Sequence, residues 1–144
     1  MNEDYLKYWR VIRYFIKSKY GLTQADLDML LFLKSERYFD KAKFDEFDNL
    51  MSWDKDRFKI LLRDGWIQVF RKRNGPTKTV YMLSYKCRRV INSIYKKLSG
   101  EEIPTTEGSN PIFAKNVKYT DKVYQNFIIE MNAFIRQQRH RAPE

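Results

Sequence analysis

Apolar residues in the first twenty positions return every three or four residues. Tyr5, Tyr8, Trp9, Ile12, Phe15 and Ile16 fall on one side of a helical wheel. Leu6, Val11 and Tyr14 widen that stripe beyond what one neighbouring helix would cover. Gly21 ends this helix. Thr23 then stands as an N-cap with Asp26 three residues on, a capping box in which Asp replaces the usual Glu. The second helix buries Leu27, Leu30, Leu31 and Leu33. Arg37-Tyr38-Phe39 reads as a short strand, and Asp40 caps a third helix over about 41–50 with Phe44, Phe47, Leu50 and Met51 as its apolar side. Ser52 or Asp54 caps a fourth, which runs to about Asp64 with Phe58, Leu61 and Leu62 inward and Gly65 at its C′ position.

The period then changes. Trp66-Ile67-Gln68-Val69-Phe70 and Thr79-Val80-Tyr81-Met82-Leu83 are β-rich runs, and Asn74-Gly75 in the basic connection between them signals a hairpin, with Pro76 lengthening the loop beyond two residues. Ser84 caps a fifth helix that runs to about Leu98, where Ser99-Gly100 stops it. Residues 101–118 carry Pro104, Gly108, Asn110 and Pro111 with little periodicity, which predicts a linker or extended arm. A last helix runs from Thr120 to about Gln138, with Val123, Tyr124, Phe127, Ile128, Met131, Phe134 and Ile135 apolar. The fold class is mainly α with a small β-hairpin.

Helix, helix, short strand, helix, helix, hairpin, helix is the order of a winged helix-turn-helix, in which the fourth helix enters the major groove and the hairpin reaches flanking backbone. The charge map points the same way. The chain carries a formal +10; residues 54–99 hold thirteen bases and three acids, and so equal the whole excess. Such a localised surplus is the footprint of a polyanion-facing surface; a solvated lysine-rich face is the plainer alternative. Lys55, Lys59 and Arg63 follow at spacing four beside the Phe58/Leu61/Leu62 stripe, with Arg57 next to them. The hairpin adds Arg71, Lys72, Arg73 and Lys78, and the following helix opens with Lys86, Arg88 and Arg89.

Three stretches resemble the MarR type of transcription regulator, with PadR-type regulators close behind. They are Leu22-Thr23-Gln24 opening a leucine-rich helix, Leu61-Leu62-Arg63-Asp64-Gly65-Trp66-Ile67, and Val80-Tyr81-Met82-Leu83-Ser84-Tyr85-Lys86. They are similar to that family's "LTxxQ", its "LxxxGxI" and its wing exit "xYxLTxKG". The hairpin has no Asp for the family's wing Asp–Arg pair, and Cys87 stands where the family has Gly. The resemblance implies a homodimer whose N- and C-terminal helices pack together, with Trp9, Ile12, Phe15, Phe127, Met131 and Phe134 at the dimer contact; intramolecular core is the other reading of those faces. The expected organisation is an N-terminal helix over 1–22, a winged helix-turn-helix domain over 23–99, a linker or arm over 100–118, and a C-terminal helix and tail over 119–144.

The expected partner is double-stranded DNA. Lys55, Arg57, Lys59 and Arg63 would approach base edges, and Arg71, Lys72, Arg73 and Lys78, with Lys86, Arg88 and Arg89, would sit on phosphates. Asp56 and Ile60, on the outward side of the fourth helix, and the long arm 101–118 favour the alternative, a winged-helix adaptor that meets an acidic protein. A nuclease has the least support, because no carboxylate cluster accompanies the basic face. Catalysis is not expected. His140 is the single His, so metal sites and Ser-His-Asp triads lack their parts, and no glycine-rich phosphate loop is present. Cys87 is either a packed residue or a redox switch whose thiolate Lys86, Arg88 and Arg89 would stabilise. No cofactor is implied, and no residue pattern assigns a small-molecule effector. No apolar run of membrane-spanning length exists, and the acidic start lacks a secretory h-region, so the expected setting is cytoplasmic.

Overall fold

The computed structural model describes residues 5–51 and 57–140. Among them, helices and strands follow in the order α1 (Tyr5–Tyr20), α2 (Gln24–Lys34), α3 (Lys41–Met51), α4 (Arg57–Arg63), β1 (Ile67–Arg71), β2 (Val80–Leu83), α5 (Tyr85–Leu98) and α6 (Tyr119–His140). A short 3-10 helix covers Pro111–Phe113. The architecture is mainly helical with one small antiparallel sheet, as the periodicity predicts. Thr23–Ile91 forms one compact unit, and the described residues before and after it form the other. The boundary therefore falls within α5 and not at Gly100.

In the Thr23–Ile91 unit, local chemistry sets the element ends. Thr23 Oγ1 accepts from the Asp26 N–H at 3.1 Å and Asp26 Oδ2 accepts from the Thr23 N–H at 3.2 Å, completing the capping box. Asp40 Oδ1 takes the Lys43 N–H at 2.9 Å, and Ser84 Oγ takes the Cys87 N–H at 3.0 Å. The residues expected to cap α4, Ser52 or Asp54, lie outside the described residues. At its other end Gly65 has φ 81°, the Trp66 N–H reaches the Leu61 carbonyl at 2.9 Å and the Gly65 N–H the Leu62 carbonyl at 3.3 Å. That is a Schellman stop, and the positive φ is why Gly stands there.

Leu27, Leu30, Leu33, Phe44, Phe58, Leu61, Trp66, Ile67 and Leu83 are buried in this unit. Phe58 links three elements: its ring meets Phe44 of α3 edge-on at 4.8 Å and Tyr81 of β2 at 5.0 Å. Leu50 departs from expectation and is 78% exposed. The inward line of α3 passes through Phe44 and the buried Asp48, one turn apart, which carries Leu50 to the far side. The strand expected at 37–39 shrinks to one antiparallel bridge between Phe39 and Tyr81. Arg37 has φ 64° and the Tyr38 N–H donates to the Glu36 carbonyl at 2.6 Å, a γ-turn that breaks the extended run.

The other unit is built on α1 and α6. Ile12, Phe15, Ile16, Ile128, Met131 and Ile135 are all buried within one chain. Three residues assigned to a dimer contact, Ile12, Phe15 and Met131, are thus core residues here, because the apolar stripes of α1 and α6 meet each other. Phe127 and Phe134 keep about two-fifths of their surface exposed (41% and 38%) although they touch Tyr124 and Tyr8, and Trp9 is partly covered, with the Arg13 guanidinium 5.8 Å from its ring centre. Tyr14 of α1 donates to Asp121 at 2.5 Å and stacks on Tyr124 with ring centres 3.8 Å apart. Burial and the Asp121 carboxylate both raise the Tyr14 pKa, so its hydroxyl stays a donor.

Residues 101–118, expected as a linker or arm, are anchored at three buried residues, while 105–109 stay exposed. Ile103, Asn110 and Ile112 are buried. Asn132 of α6 accepts the Ile103 N–H and donates to the Ile103 carbonyl, both at 2.9 Å. Asn110 donates to the Pro104 carbonyl at 2.8 Å and accepts the Ile112 N–H at 3.0 Å. Side-chain amides here replace the backbone partners that regular structure would provide, so packing leaves no periodic trace in the sequence. Asn132→Ala strands both polar groups of Ile103, and the expected loss is about 1–3 kcal/mol for each group left without a partner. Urea denaturation of the variant beside the parent protein measures it.

Candidate nucleic-acid interface

The hairpin presents the clearest chemistry. β1 pairs antiparallel with β2 in the register Ile67–Leu83, Gln68–Met82, Val69–Tyr81 and Arg71–Val80, so Phe70 is the extra residue of a bulge. At the tip, Asn74 and Thr77 exchange two backbone hydrogen bonds of 3.0 Å. Gly75, with φ 60°, and Pro76 fill the turn between them. The innermost loop is therefore two residues long, shorter than Pro76 led us to expect. A positive φ followed by proline's fixed negative φ suits a type II′ hairpin turn. Arg73 is held on this frame: its N–H meets Thr79 Oγ1 and its guanidinium meets the Gly75 carbonyl, both at 3.2 Å. Arg71, Lys72, Arg73 and Lys78 are all exposed. No carboxylate occurs between Ile67 and Leu83, so each of these cations adds to the same positive field.

The other expected contacts divide into two sets. Lys59 is exposed on α4 and has no acidic partner among the described residues; the same holds for Arg71, Lys72, Arg73, Lys78, Arg88 and Arg89. Arg63 pairs with its neighbour Asp64 at 3.0 Å, and both are exposed to solvent. Arg88 bonds the Ser84 carbonyl at 3.4 Å, and the Arg89 guanidinium lies 5.7 Å from the Tyr85 ring centre.

Arg57 and Lys86 are held by the protein itself. Arg57 Nε donates to Asp26 Oδ1 at 2.8 Å and its Nη2 donates to Asp26 Oδ2. Asp26 is 2% exposed, so Arg57 is the counter-charge of a buried carboxylate and is not placed to read bases. Lys86 Nζ lies 3.0 Å from the Asp64 carbonyl and 4.1 Å from the Trp66 ring centre. There it caps the C-terminal end of α4 and covers an aromatic face. With the Ser84 N–H on the Trp66 carbonyl at 3.0 Å, Lys86 ties the end of α4, the start of β1 and the start of α5 together. Lys55 and Asp56 lie outside the described residues, and Ile60 is half-buried.

No family model, curated protein or solved structure matches this chain. Among the described residues, no group of three or more His, Cys, Asp or Glu could hold a metal ion, and no helix is long and apolar enough to cross a membrane.

Cys87 is 1% exposed. Burial pushes its thiol up to about 12, and the nearby Lys86 and Arg88 charges only partly oppose this. The stabilised thiolate that a redox switch needs is therefore absent. Across roughly pH 9 to 12 the unfolded chain would ionise this thiol while the folded chain keeps it protonated, so its contribution to stability falls as pH rises through that window. Alkylation at pH 8 is expected to be slow for the native protein and fast once urea unfolds it. Fast native labelling would show the thiol to be accessible.

Proposed function

We propose that the Thr23–Ile91 unit is a winged helix-turn-helix module that binds double-stranded DNA, and that the chain acts as a dimeric, non-catalytic transcriptional regulator of MarR-like type. The observation that carries this reading is the hairpin: four exposed cations on a two-stranded antiparallel frame with no carboxylate on it. Such a wing neutralises phosphates and supplies affinity without sequence preference. The order α2, α3, α4, β1, β2, α5 within one compact unit supports the same assignment.

Sequence reading then falls to Lys59 and Arg63. The Arg63–Asp64 pair is exposed, and an exposed pair of this kind opens at little cost. Once free, the Arg63 guanidinium fork fits guanine O6 and N7. For the homodimer, the aromatic rings left exposed on α6, Phe127 and Phe134, are the surface proposed to meet a second copy.

Binding of a random-sequence duplex, titrated with salt, tests the proposal. The logarithm of the association constant is expected to fall linearly with the logarithm of salt, with a slope near −0.9 for each phosphate neutralised. Light scattering on the same samples gives the mass of the free and bound protein. A duplex that is ignored at low salt removes the reading.

A further inference from the structure

Among the described residues of the Thr23–Ile91 unit, Tyr38 and Phe70 form an aromatic pair with both rings exposed. The rings of Tyr38 and Phe70 lie 4.4 Å apart, centre to centre, and are inclined at 39°. Both stay open to solvent, at 45% and 52% of their surface. Each stands on irregular backbone. Phe70 is the extra residue of the β1 bulge, and bulges re-aim side chains. Tyr38 follows Arg37, whose left-handed φ of 64° is costly for a residue with a side chain and persists only where the surroundings hold it. Two independent departures from regular strand geometry thus serve one exposed ring contact.

The neighbours of the pair define what it fits. Arg37 precedes Tyr38, and Arg71 and Lys72 follow Phe70; all three are exposed. The hairpin has no carboxylate. A partner for this patch must offer flat apolar faces and negative charge together. Unpaired nucleobases on a phosphate backbone offer both, because every base has a π face and every link carries a charge. Bases within a duplex do not, since their faces are already stacked.

We propose that Tyr38 and Phe70 form a stacking platform for unpaired bases, so that the preferred ligand is a duplex that continues into a single strand. This rests on the duplex-binding reading and narrows it to a class of substrate.

The test uses the full chain and four labelled ligands: a blunt duplex, the same duplex with an oligo-dT extension, the same duplex with an abasic extension of equal length, and the free oligo-dT strand. The abasic strand carries the same phosphates without bases. The dT extension is expected to tighten binding about tenfold over the abasic one, the scale of a single stacked base. Phe70→Ala should remove that gain and leave blunt-duplex affinity within about twofold, and Phe70→Trp should keep it. Circular dichroism confirms that each variant is folded.

Equal gain from dT and abasic strands overturns the proposal, because charge alone would explain it. A dT gain that survives both Phe70→Ala and Tyr38→Ala also overturns it and leaves the pair to a protein partner. If the blunt duplex binds with the expected salt dependence but no extension helps, stacking fails and the duplex reading stands. If the free dT strand binds in a Phe70-dependent way while the duplex is ignored, the duplex reading fails and the stacking stands. Failure of every ligand to bind overturns both.

Discussion

Replacing Arg57 with Ala is expected to destabilise the Thr23–Ile91 unit by about 3 kcal/mol, at the lower end of what removing one partner of a buried ion pair costs. The reason is the position of Asp26. Its carboxylate is 2% exposed, and it sits on the same side of α2 as Leu30 and Leu33. Arg57 satisfies it through two hydrogen bonds from one guanidinium, and the Thr23 N–H provides a third. Without Arg57 a charge stays buried with one donor. Water can reach part of the gap, because the Arg57 side chain keeps 21% of its surface exposed, and this sets the lower figure. Arg57→Lys should recover only part of the loss, since an ammonium cannot reproduce the two-pronged contact. Urea denaturation followed by Trp fluorescence measures all three proteins. An Arg57→Ala protein as stable as its parent, with altered base preference, would return Arg57 to the role that its sequence position suggests.

Replacing Arg71, Lys72 and Arg73 together with Ala is expected to flatten the salt dependence of duplex binding by about 2 to 3 slope units. The effect on affinity follows from the same slope. Between 1 M salt, where the ionic contribution is nearly gone, and 0.1 M lies one decade, so the loss at 0.1 M is about a hundredfold or somewhat more. The loss should be alike for every duplex sequence, because phosphates carry no sequence. Stability should change little, as the three residues are exposed and none has an acidic partner among the described residues. Lys59→Ala and Arg63→Ala make the contrast: each should alter preference at particular base pairs by about 1–3 kcal/mol. If the triple variant keeps the parent's slope, the hairpin is not the phosphate contact.

The two variants expose what could be seen in the sequence. Arg57 and Arg71 look equally cationic there, and both lie in the basic block. Only Arg57 has Asp26 opposite it, 31 residues away in the chain. One sign was legible: Asp26, Leu30 and Leu33 share a helical face, so an acid in a leucine stripe announces a buried charge in need of a partner. Which cation answers it was not. Lys86 follows the same rule. Its place after the Ser84 cap was readable, but its contact with the Asp64 carbonyl and the Trp66 ring depends on the hairpin bringing those groups back. The aromatic stripes of α1 and α6 likewise promised burial without naming the partner, and Ile12, Phe15 and Met131 find it within their own chain.

The residue order by itself determined the element ends that Thr23, Gly65 and Ser84 set, and the electrostatic character. The Thr23–Asp26 box, the Gly65 stop and the Ser84 cap each close between residues no more than five apart, and the acid-free hairpin needs no fold to be counted. Tertiary structure decided which charges face solvent and which are neutralised, which aromatic rings are left over, and that residues 101–118 are pinned through Asn110 and Asn132. The division has a physical cause. Caps and turns are satisfied by neighbours along the backbone, so their signals are local. Burial of a charge, an amide or a ring is settled by whatever group the packed chain brings alongside it, and no periodicity records that choice.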